Sequence, residues 1–340
     1  MHINNEYIKH GEIDPKSLLI QEDITEEVEK AAKGIKERIS LMFDIISSKT
    51  APKADISKQC NEPYECPPKD DCWKFLPNIN IFHLYRGGQK AFDLFAEGIE
   101  TIGAIPDNVE LSDKQELQRE CEKTGKIHIH KEKIKHFLKT LHAPLYFLDF
   151  ETFSFAIPRY DGNKPYQNIP FQFSLHVVQN NKTEHFSFLA DGKGDPREKF
   201  AEELKKVMGD KGTVITYNQS FEISRLKELA EAFPKHKKWI DNVISRVVDL
   251  LIPFREFAYY NPAQKGSASI KKVLPALTGK SYEDMNIANG GDASLSFIHI
   301  LTGKVSKEEE KKIRKDLEDY CGLDTEGMIW IVDELRKLVK

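Results

Sequence analysis

The chain has 340 residues, and its 50 Lys+Arg against 54 Asp+Glu give a formal net charge of −4. A content of 40% apolar and 10% aromatic residues suffices for a large core and excludes wholesale disorder, while near-neutral charge excludes a histone-like nucleic-acid coat and leaves room for a local basic channel. No apolar run approaches the ~20 residues that span a bilayer, and the opening MHINNEYIKHGEIDPK lacks a secretory pattern, so a soluble, cytoplasmic protein without a membrane partner is expected.

Residues 1–22 have weak periodicity and do not look like the natural start of a domain. Asp23, with Glu26 three residues later, predicts a capped helix whose apolar stripe is Ile24, Val28, Ala32, Ile35, Ile39 and Met42. Residues 50–80 read as loop, rich in proline and carrying Cys60, Cys66 and Cys72. Ser112 with Gln115 starts another helix, followed by a basic stretch with Lys126, Lys131, Lys133, Lys135 and Lys139. At Pro144 the character changes. LYFLDF (145–150) has the near-continuous apolar run of a central buried strand, and FQFSLHVV (171–178) and EHFSFLA (184–190) read as two more, giving a three-stranded antiparallel start. Asp195-Pro196 opens a helix to about Met208, TVITY (213–217) is a strand, a helix runs from Ser220 to about Phe233, and RVVDLL (246–251) is the fifth strand. From Ser269 the pattern is mainly helical, ending in two helices around Asp316–Lys340. The expected fold class is α/β: a ribonuclease-H-like mixed five-stranded sheet flanked by helices over 141–340, preceded by a smaller, mainly helical, Cys-containing region over 1–140.

Three acidic motifs stand out. Asp149 and Glu151 are two residues apart on the first strand and so share a face. Two carboxylates there are costly unless a cation neutralises them, and Mg²⁺ or Mn²⁺ prefers oxygen donors; the bland alternative is a strand end facing water. In TYNQSFEISRL (216–226) a strand delivers Asn218 and the next helix presents Glu222 in its first turn, which is also where acids favour the helix dipole. In DYCGLDTEGM (319–328) Tyr320 and Asp324 lie one helical turn apart. No G-x-G-x-x-G, G-x4-G-K-[ST] or G-x-S-x-G occurs, which disfavours dinucleotide, nucleoside-triphosphate and Ser-hydrolase chemistry.

Taken together, the three motifs resemble the DEDD-type 3′→5′ exonuclease superfamily over residues 145–330. The strings LDFETFSFAIPRYDG, PYQNIPFQFSLH and YNQSFE look more particularly like the bacterial family catalogued as domain of unknown function 2779. The resemblance implies two Mg²⁺ or Mn²⁺ ions bound by Asp149, Glu151, Glu222 and Asp324, with Tyr320 acting on the attacking water as in the tyrosine subclass. It implies a single-stranded or 3′-ended nucleic-acid substrate and release of nucleoside 5′-monophosphates. One position departs from the pattern: the middle acid is normally Asp, and Glu222 reaches one methylene further. Asp249 in RVVDLL is a weaker, outer-shell candidate. The rival expectation is a catalytically silent module that binds nucleic acid or a partner.

Substrate contacts are softer. Gly266-Ser267 and Lys271, ahead of and within SIKKVLPAL, could meet phosphate, and Gln172 could touch a base or fill a polar gap. Cys60-x5-Cys66-x5-Cys72 is too widely spaced for a usual zinc site, but the string resembles the cysteine cluster of RecB- and Cas4-like nucleases. That resemblance implies an iron–sulfur cluster or Zn²⁺, with Cys121 as the available fourth sulfur, and an upstream RecB-like nuclease domain as partner; reduced thiols are the plainer reading.

Overall fold

The strand Leu145–Phe153 (β1) organises the molecule, because its alternation feeds two separate cores. Leu145, Phe147 and Phe153 turn to one side, and Tyr146, Leu148 and Phe150 to the other. The computed structural model describes residues 1–282, 285–287 and 289–340. β1 pairs antiparallel with β2 (Ile169–Gln179), which pairs antiparallel with β3 (Lys182–Leu189). On its other edge β1 runs parallel to β4 (Thr213–Thr216), and β4 parallel to β5 (Val247–Asp249). The sheet order is therefore β3-β2-β1-β4-β5, with β1 in the centre. All five expected strands are present.

Among the described residues the helices of eight residues or more are α1 (Thr25–Ala32), α2 (Ile35–Ser47), α3 (Gly88–Ala96), α4 (Asp113–Thr124) and α5 (Lys131–Leu138) before the sheet. Within and after it come α6 (Arg197–Val207), α7 (Ser220–Ala232), α8 (Lys237–Ile244), α9 (Ile270–Thr278), α10 (Gly290–Leu301) and α11 (Lys307–Leu338). The face carrying Tyr146 and Leu148 packs on α6, α7 and α8 through Phe200, Leu204, Leu226 and Ile240. The face carrying Phe147 packs on α5, α9, α10 and α11 through Ile134, Leu274, Phe297 and Ile331. Residues on both sides of position 140 thus enter one core. Ser112 and Gln115 form the expected reciprocal cap at the start of α4.

The structure corrects three expectations. The helix expected from Asp23 is two helices, because Gly34 takes a left-handed conformation (φ 73°) between them. Asp23 accepts from the backbone N–H and hydroxyl of Thr25, so the cap falls on Ile24, which lacks a capping side chain. The predicted stripe is not packed on a core: neither α1 nor α2 contains a buried residue, and Val28 and Met42 are more than half exposed. The two expected C-terminal helices are one helix of 32 residues. Gly322 and Gly327 lower its intrinsic propensity, but α11 is held by packing: a Cβ at Gly327 would stand 3.2 Å from Leu274 Cδ2. The N-terminal strap is pinned to the loop after β1 by backbone bonds between Lys9 and both Gly162 and Asn163, and by the Lys9–Asp161 ion pair. No helix among the described residues is long and apolar enough to cross a membrane.

Candidate metal centre

Asp149 and Glu151 follow Phe147 along the side of β1 that otherwise supplies apolar groups to the core beneath α9, α10 and α11. Asp324 arrives from the middle of α11, and oxygens of Asp149, Glu151 and Asp324 lie within 4.8 Å of one another. Three carboxylates at this separation, two of them buried and Asp149 partly so, cannot all stay ionised without a cation. Burial, then the Asp324, Glu151 and Glu222 carboxylates, push Asp149 well above the usual range. Burial and then Asp324 raise Glu151 to about 8. Burial also lifts Asp324, to about 6, against the hydroxyl of Tyr282, the charge of Lys271 and the hydroxyl of Tyr320.

Two of the three acids are held in place by groups far away in the chain. Tyr282 donates its hydroxyl to Asp324 Oδ1 at 2.7 Å. The Cys321 thiol stands 3.6 Å from Asp149 Oδ2, within reach of a sulfur hydrogen bond. Behind them, Ser174 sits opposite Asp149 in the β1–β2 register, and its hydroxyl joins Thr325 Oγ1 (2.7 Å) and His185 Nε2 (2.9 Å). His176 Nδ1 meets the same Thr325 hydroxyl at 2.7 Å. These bonds set the height of α11 over the sheet, and with it the position of Asp324. Removing the Tyr282 donor with Tyr282→Phe is expected to weaken Mn²⁺ binding roughly tenfold or more, the effect typical of a lost outer partner. The Mn²⁺ dependence of the melting temperature measures it, and an unchanged affinity refutes the positioning role.

Glu222, in the first turn of α7, lines the same cavity of about 420 Å³ with the other three acids, Asn218 and Tyr320. It stands outside the close trio. It is 2% exposed, its Oε2 has no hydrogen-bond partner, and burial raises its carboxyl to about 8, with Asp249 adding to the rise. An orphaned buried carboxylate oxygen on a residue that shares its cavity with three more carboxylates fits an oxygen-seeking divalent ion such as Mg²⁺ or Mn²⁺. Tyr320 is 4% exposed, and burial followed by the acids raises its phenol far above its ordinary range. The Lys271 ammonium lies 5.3 Å from the Tyr320 ring centroid and 5.9 Å from that of Tyr282. N-terminal Gly290 of α10 sits against Glu151, whose Oε2 would be 3.6 Å from a Cβ there.

Other expected site residues lie elsewhere. Gln172 is 1% exposed and donates from Nε2 to the Leu317 carbonyl at 2.8 Å, so it ties β2 to α11. The Ser267 hydroxyl is engaged with Ser269, away from the acidic cavity. Asp249 caps the turn after β4, accepting from the backbone N–H of Asn218 (2.9 Å) and Leu251 (3.0 Å). That turn needs support, since Asn218 is left-handed at φ 72°. Cys60, Cys66 and Cys72 are free thiols and do not form a metal-donor group among the described residues; Cys60 ends a 3₁₀ turn while Cys72 lies on the short helix Lys69–Trp73. Cys121 is buried with Phe257 and Tyr260. A larger cavity of about 800 Å³ lies between α5 and the edge strand β5 and contains none of the four acids.

Sequence reasoning missed Tyr282 and Cys321. No local signal marks Tyr282, whereas Cys321 could have been found as the neighbour of Tyr320 on the helix that brings Asp324.

Residues 146–269 match the model of the family described as "Domain of unknown function (DUF2779)". The match contains Asp149, Glu151 and Glu222 and ends before Tyr320 and Asp324. The "Uncharacterized protein UU173" of Ureaplasma parvum serovar 3 is 27% identical over 245 residues, covering 64% of this chain and 34% of its own. The "Uncharacterized protein MG366 homolog" of Mycoplasma pneumoniae is 25% identical over 219 residues, covering 58% of this chain and 33% of its own. The chain thus spans about a third of the length of these curated relatives, 34% and 33%. No solved structure gives a significant match.

Proposed function

We propose that the acidic cavity is the active site of a metal-dependent 3′→5′ exonuclease acting on single-stranded or 3′-ended DNA or RNA. The reading places it on a ribonuclease-H-like sheet, for which the strand order β3-β2-β1-β4-β5 and its two antiparallel, two parallel pairings are the support. The observation that carries the proposal is the meeting of Asp149, Glu151 and Asp324 within 4.8 Å, in a cavity open to a substrate and walled by Glu222.

In this reading Asp149, Glu151 and Asp324 hold divalent ions, with Glu222 as a fourth ligand. Bound ions supply charge neutralisation and Lewis acidity toward a phosphodiester. Tyr320 keeps its proton, because burial and the acids disfavour the phenolate, so it orients the attacking water. Lys271 offers a cation to the phosphate at the rim of the aromatic pair. Tyr282 fixes Asp324 in the rotamer that faces the other two acids. Water would join phosphorus as the 3′ oxygen leaves, releasing a nucleoside 5′-monophosphate. A RecB-like nuclease domain is proposed as a partner on the resemblance of the cysteine segment.

The test is a gel assay on 5′-labelled single-stranded DNA and RNA with Mg²⁺, Mn²⁺ or EDTA. A metal-dependent ladder shortening from the 3′ end is expected. In Tyr320→Phe, turnover should fall roughly 10²-fold with the Michaelis constant little changed, whereas a change confined to the Michaelis constant removes Tyr320 from water orientation. The position of Glu222 outside the close trio favours a second reading, a silent nucleic-acid-binding module. Metal-dependent retention of the oligonucleotide without any ladder would select it.

A further inference from the structure

A different set of donors lies across the sheet, on the face packed by α6 and α7. Glu198 and Glu202 are four residues apart on α6, so their carboxylates stand one turn apart on one side of the helix. His236 closes the turn Pro234–His236 after α7. One ring nitrogen of His236 and one oxygen from each glutamate lie within 4.8 Å of one another.

The histidine is the unusual member. It is 5% exposed, and neither Nδ1 nor Nε2 has a hydrogen-bond partner. A buried imidazole ordinarily satisfies at least one ring nitrogen, since an unmade bond carries the full cost of lost hydration. Lys235 accounts for the carboxylates alone: its Nζ is 2.6 Å from Glu198 Oε1 and 3.2 Å from Glu202 Oε1. The Lys235 side chain is 55% exposed, so these ion pairs are weak and readily exchanged for a better cation.

We propose that Glu198, Glu202 and His236 form a second cation site, for Zn²⁺ or a similar borderline transition ion, that clips α6 to the turn after α7. The donor set is one imidazole nitrogen and two carboxylate oxygens, which suits Zn²⁺ and not the all-oxygen preference of Mg²⁺. Donors around a tetrahedral Zn²⁺ with bonds of ~2.0–2.2 Å stand ~3.4 Å apart, so modest rotations of two exposed glutamates close the site. Burial and the charges of Lys235 and Lys205 lower the His236 pKa, with Glu202 and Glu198 opposing them. The site shares no residue with the acidic cavity.

The experiment is Zn²⁺ equilibrium dialysis on the full chain in a Cys60→Ser/Cys66→Ser/Cys72→Ser background, with excess Mg²⁺ to occupy the cleft. One Zn²⁺ per chain is expected. Glu198→Gln/Glu202→Gln, both on the surface, and His236→Asn should each weaken it by roughly tenfold or more, at least what an outer partner's loss costs. Lys235→Ala removes only the competitor and should tighten it. If neither the parent nor Lys235→Ala retains Zn²⁺, or if the glutamine pair binds as tightly as the parent, the site is a lysine-bridged surface cluster and the proposal fails. A parallel melting scan keeps the test independent of His236: Zn²⁺ should raise the parent's melting temperature and leave that of Glu198→Gln/Glu202→Gln unmoved.

Discussion

In Asp149→Asn protein, Mn²⁺-dependent hydrolysis is expected to fall roughly 10³-fold or more, while the folded state survives with equal or higher stability. Asp149 is central because it faces every other acid: Asp324, Glu151 and Glu222 all raise its carboxyl. Asn keeps the shape and the acceptor oxygen that the Cys321 thiol approaches at 3.6 Å, but it cannot supply anionic charge to a cation. The same change removes a buried like-charge repulsion, so without metal the melting temperature should be unchanged at acid pH and higher above pH 8. The measurement is the 5′-label ladder alongside circular dichroism melts of both proteins. Full activity in a cleanly purified Asp149→Asn variant would sink the metal-site assignment; loss of activity with a collapsed melt would mean Asp149 is structural.

Metal-free protein is expected to lose stability as pH rises from 6.5 to 8, and Mg²⁺ or Mn²⁺ should reverse that loss. Glu151 and Glu222 each rise from 4.5 to about 8 on folding. Between those values the folded state holds protons that the unfolded chain has released, so stability falls with pH and the loss is complete above the folded values. Asp324, at about 6, adds its share lower down. Below pH 6.5 the trend is offset by His176, whose buried ring falls from 6.5 to about 4 and destabilises the fold as acid forces a proton onto it. The window above 6.5 is therefore where the carboxylates dominate. Mutual coupling of the acids reduces the simple sum to the order of a few kcal/mol, since one pKa unit is ~1.4 kcal/mol. Melting curves at pH 6.5, 7.2 and 8.0, with EDTA or with Mn²⁺, decide it. The metal-induced rise should be largest at pH 8, and binding should release protons, seen calorimetrically in buffers of different ionisation heat. A metal-free melting temperature that is flat or rises with pH across this window would mean the acids are already neutralised within the protein.

Much of the candidate site was legible because it depends on periodicity. Two-residue spacing puts Asp149 and Glu151 on one side of a strand, and four-residue spacing puts Tyr320 and Asp324 on one side of a helix. The acceptor of the Gln172 amide was not legible, since the Leu317 carbonyl is 145 residues away. The Tyr282 hydroxyl reaches Asp324 across 42 residues, and the Cys321 thiol reaches Asp149 across 172. Periodicity also predicts that a stripe is apolar without saying that anything covers it: Val28, Ile39 and Met42 lie on helices and remain exposed.

Local pattern was enough for the five strands and for the side of the first one on which Asp149 and Glu151 stand, because the backbone pleat turns spacing into direction. Long-range packing set the rest: α11 runs unbroken through Gly322 and Gly327, Asp324 meets Asp149 and Glu151, and His236 is buried beside Glu198 and Glu202 with both nitrogens unmet. Those outcomes depend on which distant groups share a space too small for water, and no local pattern encodes that.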